Sequence, residues 1–244
     1  MNHQSYATQP NRADRFDQES ELIRDRLKTP RAAAIAGIVF SLLLITSQML
    51  IWLSVPPDPI AAATEIVRHA KEVVLALNLL PFAGIAFLWF IAVVRDRLGD
   101  LEDRFFSTVF LGSGLLYVAM IFTATAIAGA LVGLLTAEQN ASVISPVYLI
   151  GRAEIYRFTS LFGTKMAAVF MGSTSTIFLR TRVLPRWVAF SGYVLAAGLL
   201  LSIGIVPGIP AVFPLWVMVV SVCILLQGRS SWKRSGAGEK TGAV

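Results

Sequence analysis

The run Phe105-Phe-Ser-Thr-Val-Phe-Leu-Gly-Ser-Gly-Leu-Leu-Tyr-Val-Ala-Met-Ile-Phe-Thr-Ala-Thr-Ala-Ile-Ala-Gly-Ala-Leu-Val-Gly-Leu-Leu135 holds no charged residue. A bilayer core about 30 Å thick needs about 20 consecutive apolar residues in an α-helix. This run is longer, so as a span it tilts or protrudes. Its apolar residues occupy every helical face, whereas a barrel strand alternates apolar and polar residues over about 10 positions. A membrane helix fits the pattern and a barrel strand does not.

Working outward, five further runs have the same character: Ala32–Ser54, Val73–Val94, Phe158–Leu179, Trp187–Val206 and Ala211–Gln227. The last two are separated only by Pro207-Gly208-Ile209-Pro210, residues that stop one helix and start another, which predicts a tight transmembrane hairpin. The expected fold is an all-α, polytopic transmembrane helix bundle of six spans with both termini cytoplasmic. Its divisions are a partly disordered N-terminal tail (1–31), a membrane domain (32–227) and a disordered basic tail (228–244). The first apolar run lies behind a segment dense in both charge signs, so the first helix is expected to act as its own insertion anchor.

Composition agrees with a membrane protein. Of 244 residues, 55% are hydrophobic and 15% charged, against about 25% charged in ordinary soluble domains. Mean hydropathy is +0.67. The net charge of +6 does not signal nucleic acid, because the basic residues are spread over connections without an aromatic-interleaved patch. They serve orientation instead. With six spans and the amino terminus inside, sixteen Lys and Arg fall in inside segments and four (Arg68, Lys71, Arg152 and Arg157) outside. That split obeys the positive-inside rule. The one cysteine, Cys223, provides no disulfide or CxxC pair.

Smaller features follow the same frame. Asp14–Thr29 has a helical pattern, either a helix on the inner membrane surface or a solvated charged lead-in. Asp58-Pro59 reads as an N-cap with proline at the first helical position, opening a short interfacial helix over Ile60–Ala70. The connection Ala137–Arg152 is expected to be polar and irregular; its Asn140-Ala-Ser142 matches a short glycosylation sequon. No internal repeat links the two halves of the chain, so an inverted-repeat transporter has no support.

All 15 carboxylates lie outside the six runs, and so do His3 and His69. Intramembrane proton relays commonly use Asp, Glu or His, and haem held between helices uses paired histidines. Neither can be built within these spans, and a Ser–His pair or a zinc site is equally out of reach. No cofactor, no metal and no catalytic residue are expected.

Lys165 is the one formal charge inside a run, seven residues past Phe158 and so about 10 Å deep at 1.5 Å per residue. An ionised lysine at a helix centre costs about 2.5–3.5 kcal/mol to insert, and less nearer the surface. Equal depths from the outer surface bring Gln48, Asn78 and Thr123 to its level, with Arg157 about two turns above on the same helix. On the functional reading these five residues would make an outward-facing polar pocket with positive charge, suited to a small anionic solute or lipid headgroup. In the plainer alternative, Lys165 snorkels to the interface and Gln48 and Asn78 make ordinary interhelical hydrogen bonds.

Gly129 and Gly133 form a GxxxG pair, while Gly163, Ala167, Ala168 and Gly172 crowd the fourth run; packing within one protomer is the expected role, a dimer interface the alternative. Hydroxyls in Gly172-Ser-Thr-Ser-Thr176 are expected to bond back to their own helix. Pro81 should bend the second span or free a carbonyl near Asn78. Arg95, Asp96, Arg97, Asp100, Asp103 and Arg104 form the densest charge cluster, on the inner side. If helical, its three aspartates share a face suited to Mg²⁺ beside lipid phosphates; mutual Arg–Asp pairing across a short loop, presenting a partner-binding surface, is the simpler account.

The stretch Asn78-Leu-Leu-Pro-Phe-Ala-Gly-Ile-Ala-Phe-Leu-Trp-Phe-Ile-Ala-Val-Val-Arg-Asp-Arg-Leu-Gly99, with Glu102-Asp-Arg-Phe-Phe106 and Gly112-Ser-Gly114, resembles a family of bacterial multi-pass membrane proteins of unknown function. The resemblance implies a bacterial plasma (inner) membrane location and carries no activity and no functional residue. Three classes of function remain. A non-catalytic membrane component that stabilises or regulates a partner, or a homo-oligomer, fits the missing acids and the small-residue faces. A transporter or binder would use the Lys165 pocket. A membrane enzyme on lipid phosphate rests only on the inner carboxylates. In every case the lipid bilayer is the surrounding partner.

Overall fold

The structure, a computed structural model, describes residues 12–54, 65–98, 104–137, 141–181, 184–202 and 208–238. Among these the chain is all-α, with seven α-helices and one π segment: α1 (Arg12–Ser54), α2 (Ala70–Leu98), α3 (Arg104–Ala137), α4 (Ala141–Tyr156), π (Arg157–Gly163), α5 (Thr164–Thr181), α6 (Arg186–Leu201) and α7 (Ile209–Gly238). Four helices are long and apolar enough to cross a membrane, over Ala32–Ile51, Ala70–Arg95, Ser107–Ala137 and Ile209–Leu226. This is an integral membrane protein with several membrane helices.

The other two expected spans take a different form. The run beginning at Phe158 starts inside the π segment, and Lys165 and the hydroxyl-rich Ser173–Thr176 stretch dilute the apolarity of α5. Helix α6 has 16 residues, about 24 Å at 1.5 Å per residue, less than the hydrocarbon core of a typical bilayer. The connection expected to be irregular is instead largely helical, as α4. Its polar look in sequence is offset by packing on α3: Tyr148 is buried, and a Cβ at Gly151 would touch Leu131 at 3.4 Å. At the other hairpin, Gly208 takes φ +87°, and the Ala211 N–H donates to its carbonyl at 2.9 Å to start α7. Pro81 lies within α2 without ending it. At the N-terminal side of α2, the Arg68 guanidinium pairs with Glu65 at 3.0 Å. Asn140, Asp58-Pro59, Asp100 and Asp103 lie outside the described residues.

Helix α1 lies against α2 and α7; α3 lies against α2, α4, the π segment and α5; and α6 packs mainly on α5. Burial between membrane helices gains little hydrophobic free energy, since lipid is as apolar as leucine, so close packing has to hold the bundle together. Here it comes from rings. Phe87 of α2 has its centroid 4.6 Å from Phe40 of α1, 5.1 Å from Phe170 of α5, 5.5 Å from Phe213 of α7 and 5.8 Å from Tyr117 of α3. One fully buried ring thus joins five helices, each pair contributing about 0.5–1.5 kcal/mol beyond area burial. Glycines admit the other close approaches. A Cβ at Gly37 would collide with the Ser221 hydroxyl and lie 2.9 Å from the Phe90 ring; one at Gly192 would collide with Ser175 and lie 2.9 Å from Trp216.

Candidate functional site

Above the aromatic cluster, α1, α2, α3, α4, the π segment, α5, α6 and α7 leave a partly enclosed cavity of about 90 Å³. By the measure in which one water needs about 10–15 Å³, it has room for several waters or one small molecule. Its floor includes Tyr117 and Phe213; its far end is reached by Ile51 near the end of α1 and Ile209 at the start of α7. The cavity therefore lies in the half of the bundle opposite the N-terminus of α1 and the C-terminus of α7. Its walls are mostly apolar.

The polar groups on the wall are Gln48, Tyr117, Thr125, Thr159 and Thr164. The three threonine hydroxyls donate to backbone carbonyls: Thr125 to Ile121 at 2.7 Å, Thr159 to Ile155 at 2.8 Å and Thr164 to Thr159 at 3.2 Å. The last bond reaches back five residues, because the π segment widens the turn before Thr164. A π turn inside a helix costs hydrogen-bond geometry and is frequent at functional sites. The Gln48 amide and the Tyr117 hydroxyl differ from the threonines: among the described residues neither has a hydrogen-bond partner.

The five residues expected to form a pocket are not brought together. Gln48 lines the cavity. Asn78 and Thr123 are exposed on the outside of the bundle, and the Thr123 hydroxyl bonds back to Ala119 at 2.9 Å. Arg157 is exposed and pairs with Glu154 at 2.9 Å. Lys165 is half-buried beside the cavity, but its ammonium turns to the end of α6, donating to the carbonyls of Leu199 at 2.9 Å, Leu200 at 2.6 Å and Ser202 at 2.5 Å. An ammonium has three N–H donors, and three acceptors surround it. It holds a helix end and has no donor left for an anion in the cavity.

Sequence reasoning missed Tyr117, Thr125, Thr159 and Thr164. Equal depth in the membrane says nothing of direction: at 3.6 residues per turn, Thr123 and Thr125 point about 200° apart. Thr125 faces the cavity and Thr123 faces out.

Among the small residues, Ala167 and Ala168 are buried and a Cβ at Gly172 would sit 3.9 Å from Ala196, so that face brings α5 and α6 together. Gly129 and Gly133 correct the expectation of packing within the protomer: among the described residues nothing lies within 4 Å of a Cβ at either, because their face of α3 points away from the bundle. The hydroxyls of Ser173, Thr174 and Thr176 bond back to their own helix at 2.9, 2.6 and 3.0 Å, while that of Ser175 is buried without a partner among the described residues. In the inner charge cluster Arg95 is exposed, Asp96 and Arg97 fall in the last turn of α2, and Arg104 opens α3. Among the described residues no group of three or more His, Cys, Asp or Glu could hold a metal ion.

Comparison with known proteins finds no matching family, no matching curated protein and no matching solved structure. What stands is the class: an all-α integral membrane protein with several apolar helices that contact the lipid bilayer.

Proposed function

We propose that the protein is a six-span, non-catalytic membrane component that binds a small molecule in the cavity beneath its outer surface. The cavity carries this reading: it is bounded by all seven α-helices and the π segment, and two of its polar groups, on Gln48 and Tyr117, have no partner among the described residues. Two unused hydrogen-bonding groups facing space inside an apolar bundle are costly unless something, water or ligand, meets them. The distribution of Lys and Arg supports both termini in the cytoplasm of a bacterial plasma (inner) membrane and the cavity toward the outside. For six crossings, the π segment and α5 together form the fourth and α6 the fifth.

Cysteine chemistry tests the proposal. In a Cys223→Ser background, an impermeant thiol reagent on whole cells should label a cysteine at 68 and spare one at 95; the reverse pattern would invert the topology. In purified protein, a small neutral methanethiosulfonate should modify Gln48→Cys readily, and Ala128→Leu, which fills the cavity, should slow it. Unchanged reaction in the filled protein, or none at all, removes the binding site.

A second reading has its own observation. Gly129 and Gly133 present backbone to the lipid with none of the described residues against them, a surface on which a membrane-protein partner or a second copy packs closely. The charged residues Arg95, Asp96, Arg97, Asp100, Asp103 and Arg104 would extend such a contact on the inner side. Cysteine cross-linking at 133 in native membranes tests it, with a homodimer, a heterologous adduct and no adduct as distinct results; no adduct rejects it.

A further inference from the structure

We infer that the cavity takes a small neutral molecule with one hydroxyl or carbonyl group on a short apolar body, held at its polar end by Gln48 and Tyr117. The inference rests on the binding reading above and narrows it to a chemical class.

Charge comes first. No charged side chain lines the cavity. The nearest cation, Lys165, gives its three donors to the carbonyls of Leu199, Leu200 and Ser202, and the exposed Arg157 is paired with Glu154. An anion would enter a mostly apolar space with no counter-charge, and a buried unpaired charge is far costlier than a buried neutral polar group. Anionic solutes and lipid phosphates are therefore selected against.

The donor and acceptor inventory comes next. Thr125, Thr159 and Thr164 spend their protons on backbone carbonyls, so toward the cavity they offer lone pairs only. The Gln48 amide adds N–H donors and a carbonyl, and the Tyr117 hydroxyl adds one donor and an acceptor. A ligand hydroxyl or carbonyl can accept from Tyr117 or Gln48, and a hydroxyl can also donate to Gln48. The remaining wall, from Leu44, Leu77, Ile121 and Ala167, asks for an apolar body. Size closes the description. A cavity of about 150 Å³ holds the six carbons of benzene, so in proportion one of about 90 Å³ encloses roughly four non-hydrogen atoms, and its open side admits one more.

The experiment uses the full chain in nanodiscs with xenon, 1-butanol and butyrate as probes. Thermal midpoints are compared between wild type and Ala128→Leu, so that effects of the alcohol on the bilayer cancel. The expected result is stabilisation of wild type by 1-butanol, absent in Ala128→Leu, with butyrate inactive. Tyr117→Phe keeps the ring packed on Phe213 and should weaken 1-butanol binding about three- to tenfold, the range of one neutral hydrogen bond; Gln48→Leu should do the same. Xenon binding should survive both changes. If xenon protects but 1-butanol binds equally well to wild type, Tyr117→Phe and Gln48→Leu, the chemical class is overturned while the binding site stands. Protection by butyrate at least equal to that by 1-butanol also overturns it. If no probe separates wild type from Ala128→Leu, the cavity holds water only, and the inference and the binding reading fall together.

Discussion

The ammonium of Lys165 donates to the carbonyl of Leu199 at 2.9 Å, tying the second residue of α5 to the last turn of α6. The last carbonyls of any helix lack an N–H four residues on, and near lipid they have little water to turn to. Here Ser202 N–H returns to Gly198 at 2.9 Å and its hydroxyl to Leu199 at 2.8 Å, while Lys165 serves Leu199, Leu200 and Ser202. A cation at a helix C-terminus also meets the negative end of the helix dipole. The insertion cost of the lysine is offset by a helix end that needs it.

Replacing Lys165 with Met should therefore destabilise the folded bundle. Hydrogen bonds to a charged group contribute about 1.5–3 kcal/mol, so a loss in that range is expected, with Lys165→Arg recovering part of it. Thermal unfolding in nanodiscs would measure the change. An unaltered midpoint would mean that water already serves these carbonyls.

The approach of α1 to α7 gives a sharper test. A Cβ at Gly37 would meet the Ser221 hydroxyl and the Phe90 ring, and overpacking of this kind costs about 1–3 kcal/mol. Ser221 Oγ is buried without a partner among the described residues, so Ser221→Ala removes a desolvated hydroxyl and should be neutral or stabilising. Gly37→Ala should be less damaging when Ser221→Ala is present, since the clash loses one of its sources. Additive effects in the double-mutant cycle would show that Ser221 simply rotates away.

How much of this could be read in the sequence depends on the kind of fact. Continuous apolar runs reveal the long helices because a bilayer sets a length no soluble helix needs, and the hinge at Gly208 follows from residues that cannot continue a helix. The helical state of Ala141–Tyr156 was hidden, because Tyr148 shows its burial, and Gly151 its approach to Leu131, only once the helices are assembled. Lys165 was legible as an anomaly, but its partners are main-chain carbonyls 34 to 37 residues away, which carry no side-chain signature. Gln48 was found by depth alone. Asn78 and Thr123 share that depth and face outward, since the azimuth of a helix apolar on all sides is set by its neighbours.

Between α5 and α6 the hydroxyls of Thr176 and Tyr193 share a hydrogen bond of 2.7 Å. Interhelical hydrogen bonds in membranes are worth about 0.6 kcal/mol on average and up to about 1.7, because partners are also found in the unfolded state. A Thr176→Val and Tyr193→Phe cycle should give a coupling within that range. Thr176 keeps a bond to Gly172 at 3.0 Å, which holds its rotamer and favours the upper half. Zero coupling would assign the contact to packing alone.

The glycines of α3 divide into two kinds, and substitution should separate them. Gly114 has Ile91 2.5 Å and Phe170 3.2 Å from where a Cβ would be, whereas at Gly129 and Gly133 that space is open. In an isolated protomer Gly114→Ala should destabilise by about 1–3 kcal/mol through overpacking. Gly129→Ala and Gly133→Ala should be neutral or stabilising by up to about 1 kcal/mol, because alanine loses less conformational freedom in a helix interior. The comparison is made with one protein per nanodisc and then in densely loaded liposomes. Should Gly129→Ala and Gly133→Ala lower stability only in the dense membrane, their exposed backbone is used by a second copy. Equal behaviour in both settings leaves this face of α3 to lipid, and its glycines without a role in self-association.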